Sequence, residues 1–129
     1  MVFILGDEEF LSSETKMIVD DYHSELYTSA INILELIQLY TICKIKSKKY
    51  KSSSDWISAV TNEFYIEILP FTKEHTSTLS KLKIATGHND PFDHSIISHA
   101  ITEKMILVSS DKKFQEYTSQ KLLFSFNKR

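Results

Sequence analysis

Cysteine, glycine, proline and long apolar runs are all scarce in this chain. Of its 129 residues, one is cysteine, two are glycine and two are proline. A lone Cys43 cannot close an intrachain disulfide, and its apolar neighbours suit a small packed hydrophobe. Without a disulfide framework the chain reads as cytosolic. Two glycines cannot build a phosphate-cradling loop. Purely apolar runs stay far below the ~20 residues that span a bilayer, so no membrane association is expected. The start, Met1-Val2-Phe3-Ile4-Leu5, lacks a basic lead and runs into Gly6-Asp7-Glu8-Glu9, unlike a signal peptide. A net charge of −2 excludes a generic basic nucleic-acid coat. It leaves room for an enzyme whose acidic metal site lies beside a local basic strip.

What is present suits one globular domain over residues 1–129. Apolar residues make up 42% and charged residues 25%, enough for a core without a disulfide or structural zinc. No repeat or linker interrupts the chain. Periodicity and caps place a helix from Ser12 or Ser13 to about Tyr22, a strand over Leu26-Tyr27-Thr28, and a helix from Ser29 to about Cys43. A helix follows from Ser53 or Ser54 to about Asn62, then a strand over Tyr65–Leu69 ended by Pro70. Thr72 caps a helix to about Ile84. Asp90 opens another to about Lys104, then Met105–Ser109 forms a buried strand. A short helix from Asp111 to about Tyr117 and a strand over Leu122–Phe126 close the chain. Strands alternating with helices predict a parallel sheet covered by helices. Only four strands are read this way, and a helix comes first where such a sheet usually opens on a strand.

Three acids stand out. In the helix beginning at Ser29, apolar residues point all round, which predicts burial. Glu35 is the only charge between Ala30 and Cys43, and a buried carboxylate needs a partner or a metal. Asn32 and Gln38 lie three residues either side and would make a polar stripe with it; the plainer reading is that this stripe faces water. In His88-Asn89-Asp90-Pro91-Phe92-Asp93, Asp90 with Pro91 is a complete helix start. Asp93 sits where an acid closes a capping box, but above the buried face of Ile96, Ile97 and Ala100. Asp111 follows the strand Ile106–Ser109, where open parallel sheets form sites, or simply caps the next helix. Convergent carboxylates repel and need a cation. Oxygen-only ligands suit Mg²⁺ or Mn²⁺, which also bind phosphate.

Other groups carry less. His88, His94 and His99 lack zinc-ligand spacing and read as exposed polar residues. Lys46, Lys48 and Lys49, in a lysine-rich stretch with Tyr50, suit either RNA-backbone contacts or a solvated loop.

Three segments resemble the VapC-type PIN-domain ribonucleases of type II toxin–antitoxin pairs. Tyr27-Thr28-Ser29-Ala30-Ile31-Asn32-Ile33-Leu34-Glu35-Leu36 resembles the strand-to-helix segment bearing that family's second acid. His88-Asn89-Asp90-Pro91-Phe92-Asp93 is similar to its His-x-Asp-Pro-Phe-Asp signature, with His94 where arginine usually follows. Ile106–Asp111 with Phe114 and Tyr117 is similar to its last acid segment. The resemblance covers essentially the whole chain. It implies a PIN-like three-layer α/β/α sandwich with a mostly parallel sheet, and Mg²⁺-dependent (or Mn²⁺-dependent) endoribonuclease chemistry. It casts Glu35, Asp93 and Asp111 as catalytic metal ligands and Asp90 as an auxiliary. Ser109 and Asn32 would support them from behind. RNA is the implied substrate, and a cognate antitoxin and a second toxin copy are the implied partners. Against that pattern, Met1–Leu5 resembles the helix after the family's first strand. The first central strand and its aspartate are therefore expected to be missing, and Asp7 is not expected to replace that aspartate. Two functions follow: a metal-dependent ribonuclease toxin weakened by truncation, or a non-catalytic remnant that binds an antitoxin or its own copy.

Overall fold

The computed structural model describes residues 2–5, 25–42, 51–63 and 66–126, of which 2–5 are described as backbone. The elements there are β1 (Val2–Leu5), β2 (Glu25–Ser29), α1 (Ala30–Thr41), α2 (Ser53–Asn62), β3 (Ile66–Leu69), α3 (Lys73–Lys81), α4 (Pro91–Glu103), β4 (Ile106–Ser109), a 3-10 helix (Lys112–Gln120) and β5 (Leu123–Phe126). The helix expected up to Tyr22 lies outside the described residues. So do Asp7, Cys43, Lys46, Lys48 and Lys49.

The five strands form one sheet in the order β3-β2-β1-β4-β5, and every pairing is parallel. This corrects the expectation of a missing central strand. Val2–Leu5 occupies the centre, with Leu5 in register with Thr28 on one side and Val108 on the other. An apolar run of this length is ambiguous between a strand and a buried helix turn. Here the ladders on both sides decide it, because β2 and β4 would otherwise carry unpaired backbone edges in the middle of the sheet.

Local sequence sets the helix ends. Ser29 caps α1 by accepting the Ile31 N–H at 3.1 Å, and Ser52 caps α2 by accepting the Asp55 N–H at 3.1 Å. Asp90 with Pro91 at the first turn starts α4, and Lys104 ends it in the left-handed region.

Adjacent residues of β4 serve opposite layers, as the two-residue period of a strand requires. Val108 packs with Leu26, Ile66, Ile33, Leu36, Trp56 and Val60, under α1 and α2. Leu107 packs with Ile96, Ile97, Ala100, Phe114 and Tyr117, under α4 and the 3-10 helix. The result is the expected three-layer sandwich. One expectation for α1 is corrected: it is not buried all round. Leu34 is 46% exposed and Ile42 60% exposed. A helix on an outer layer has one face for the sheet and one for solvent, whatever its composition. No helix among the described residues is long and apolar enough to cross a membrane.

Candidate metal centre

The shared register of Thr28, Leu5 and Val108 aligns the carboxyl ends of β2, β1 and β4 at one edge of the sheet. The candidate acids come from three elements around that edge, and among the described residues no three of them bring ligand atoms within 4.8 Å of one another. α1 leaves the end of β2 and packs against α4. Glu35, in its second turn, is half-buried. Asn32, one turn earlier and 1% exposed, donates its Nδ2–H to the Thr28 hydroxyl at 3.0 Å. Gln38 is exposed, so the polar stripe runs from the interior to solvent, with Glu35 between.

Asp90 caps α4 as expected: its Oδ1 accepts the backbone N–H of Phe92 at 2.9 Å and of Asp93 at 3.4 Å. Asp93 is only 6% exposed, and its carboxylate pairs with His88 rather than closing a capping box. The His88 Nε2–Asp93 Oδ2 distance is 3.0 Å. Asp111 caps the 3-10 helix through Oδ1, which accepts the Lys113 N–H at 2.9 Å. Ser109 accepts the Asp111 N–H through Oγ at 3.1 Å and so holds the backbone that carries this acid.

These bonds engage one oxygen of each aspartate. Asp90 Oδ2, Asp93 Oδ1 and Asp111 Oδ2 stay outside them. Each side chain is thus anchored through one oxygen. The electrostatics agree with proximity. Burial pushes the Asp93 carboxyl above the usual range, the charges of Asp90 and Asp111 push it further, and the hydrogen bond from His88 opposes them. Oxygen donors that destabilise one another's charge suit a hard divalent cation such as Mg²⁺ or Mn²⁺.

The histidines depart from expectation. His88 is 4% exposed and His99 is fully buried, while His94 is half-buried. Sequence spacing read these residues as exposed because it saw no shared helix face. It could not see that the turn before α4 folds His88 inward. The His88 N–H bonds the Ala85 carbonyl at 3.0 Å, and Gly87 takes the positive φ of 82° that this turn needs. The Ala85 N–H donates to the Tyr117 hydroxyl oxygen at 3.0 Å. Tyr117 and His88 Nδ1 are 2.7 Å apart. With Tyr117 donating to Nδ1, a neutral His88 gives its Nε2–H to Asp93, and every proton in the chain has an acceptor. His94 donates Nε2–H to the His88 carbonyl at 2.7 Å. The signal was in the sequence: a histidine five residues before the acid, inside the quoted signature.

In an open parallel α/β domain the carboxyl edge of the strands is where ligands bind. The family profile of the PIN domain matches residues 1–119. The chain belongs to the PIN domain family. No curated protein matches it. Its fold is similar to that of three solved toxin–antitoxin structures. VapBC-1 from nontypeable Haemophilus influenzae matches at 19% identity, TM-score 0.69, covering 98% of each chain. VapBC2 from Rickettsia felis, bound to a DNA fragment from the promoter, matches at 22% identity, TM-score 0.65, also covering 98% of each. VapBC-5 from Mycobacterium tuberculosis matches at 13% identity, TM-score 0.64, covering 99% of this chain and 98% of that one.

Proposed function

We propose that this PIN domain is a divalent-metal-dependent endoribonuclease of the toxin type, with Glu35, Asp93 and Asp111 as metal ligands and Asp90 beside them. The observation that carries the reading is the buried Asp93, raised chiefly by burial and then by the charges of Asp90 and Asp111, yet held in place by His88. Without a cation this arrangement works against itself; a divalent cation would offset most of that charge. Mg²⁺ or Mn²⁺ would supply activation of water and stabilisation of charge at a phosphodiester. His88, Ser109 and Asn32 position the ligands. An RNA strand is the substrate, with Lys46, Lys48 and Lys49 as backbone contacts. The partner is an antitoxin, as in the VapBC complexes of similar fold, and a second copy of the chain completes a toxin dimer.

The test is a Mn²⁺ titration of the full chain beside Asp93→Asn, with circular dichroism to establish that both fold. Binding that weakens by at least about tenfold in the variant, followed by Mn²⁺-dependent cleavage of single-stranded RNA, is the expected result. Folded wild-type protein that binds no Mn²⁺ overturns it.

That outcome would favour a partner-binding role without catalysis. The exposed Leu34 and Ile42 on α1 support this second reading, since an apolar face of this kind suits a protein partner. Mixing with the cognate antitoxin and following co-elution separates the two.

A further inference from the structure

A cleft of about 580 Å³ lies beside the acids, between the turn that leads into α4 and the 3-10 helix. A volume of that order suits a ligand the size of one nucleotide. Its walls come from the two segments that hold Asp93 and Asp111. His88 lines one wall and bonds Asp93 through Nε2 at 3.0 Å. Lys113 lines the other, and its backbone N–H donates to Asp111 Oδ1 at 2.9 Å. A strand lying in the cleft therefore passes beside the acids.

The cleft is braced by the protein itself. The Gln120 side chain clamps the Lys83 backbone, Oε1 accepting its N–H at 2.9 Å and Nε2 donating to its carbonyl at 2.8 Å. The Tyr117 hydroxyl accepts the Ala85 N–H at 3.0 Å and lies 2.7 Å from His88 Nδ1. These bonds tie the turn to the 3-10 helix. A Cβ at Gly87 would meet nothing within 4 Å, so the cleft is open there. The groups left to meet a ligand differ in chemistry. Lys83 and Lys113 are exposed cations, in no ion pair among the described residues. Ile84 is 43% exposed, a large apolar side chain with an uncovered face. Glu116 is exposed on the 3-10 helix wall, and its carboxylate accepts hydrogen bonds but donates none.

We infer that this cleft takes one unpaired nucleotide of the RNA strand flanking the cleaved bond, and that Glu116 selects a base carrying an exocyclic amino group. The inference rests on the ribonuclease reading for its substrate class. Lys83 and Lys113 outweigh the single charge of Glu116, so the cleft attracts a phosphate beside acids that repel one. Ile84 gives a base an apolar face to lie on, a contact that tolerates every base. Sequence is then read at the base edge, as with other unstacked RNA bases. Glu116 accepts from an amino group, as a glutamate does from cytosine N4. Uracil presents a carbonyl oxygen at that position, which a carboxylate repels. Cytosine against uracil is therefore the sharpest contrast. The plainer account is a water-filled surface cleft with scattered charges, and it predicts no binding.

The test uses the full ¹⁵N-labelled chain in EDTA, with short oligocytidylate and oligouridylate as probes. Expected are shifts at the backbone amides of Ile84, Thr86, Gly87 and Lys113, with oligocytidylate bound at least about fivefold more tightly. Lys83→Gln and Lys113→Gln each weaken both probes alike, and each lowers the slope of log affinity against log salt by about 0.7. Ile84→Ala weakens both by at least about threefold. Glu116→Ala brings the two probes to equal affinity. If a variant misfolds by circular dichroism, the wild-type shifts and probe ratio decide alone. Equal wild-type binding of the two probes, or binding without shifts at these amides, overturns the inference. Mn²⁺-dependent cleavage by a chain whose cleft amides never shift overturns it too, and leaves the ribonuclease reading standing. Cleft shifts without cleavage under Mn²⁺ sink the ribonuclease reading and leave the cleft as a nucleotide site. Absence of both overturns both.

Discussion

The two ends of helix α4 carry polar clusters of opposite kind. At the amino end, the Asp93 carboxyl is raised by burial and feels the charges of Asp90 and Asp111, and the polar atoms are oxygens. Further along, His99 and Glu103 meet His75, and the donors are mostly imidazole nitrogens. The first cluster stores charge repulsion, which a hard cation relieves. The second holds a buried His99 Nε2 with no hydrogen-bond partner among the described residues. Both use the same rule: a polar atom held in the interior by packing, with its other atom fixed by an internal partner.

The comparison can be broken most forcefully through the packing that both clusters share. Ile97 is fully buried between them in the same core as Leu107 and Phe114. Ile97→Ala is expected to cost about 2–5 kcal/mol in urea unfolding. It should loosen both clusters together, while a change confined to one end should not. The next effect belongs to the imidazole end alone. His99 is depressed from 6.5 to about 4 by burial. The unfolded chain therefore binds a proton that the folded one refuses. The stability this contributes is present above pH 6.5 and is lost as pH falls towards 4, by up to about 3 kcal/mol. Urea midpoints measured across that window should fall with acid. A flat profile would mean that His99 is not held neutral by its surroundings.

The smallest effect separates the aspartates at the acidic end. Asp90→Ala removes a helix cap and is expected to cost about 1 kcal/mol, with Mn²⁺ affinity reduced far less than in Asp93→Asn. Equal losses of Mn²⁺ from both variants would promote Asp90 from auxiliary to ligand.

Much of the fold was legible because each element carried its own local signal. Thr72 and Asp90 mark helix starts at the observed positions, the cap expected at Ser53 or Ser54 falls one residue earlier on Ser52, and the apolar runs before Pro70 and before Asp111 are strands. β1 was misread because four apolar residues carry no periodicity, and only two ladders settle the choice. The acids were proposed by type and by position relative to predicted elements. His88 lay inside the quoted signature, but its burial and that of His75 were not legible, because nothing local distinguishes a buried histidine from an exposed one.

The sequence by itself determined the alternation of strands and helices, the capping roles of Asp90 and Asp111, and the match of residues 1–119 to the PIN domain. These depend on near neighbours or on motif spacing. Only the tertiary structure decided that Val2–Leu5 is the central strand, that Leu34 and Ile42 face solvent, and that His75 stacks on His99. Those facts join residues far apart in the chain. Parallel pairing and layer packing are long-range contacts, and no local period encodes which partner a strand or an imidazole will meet.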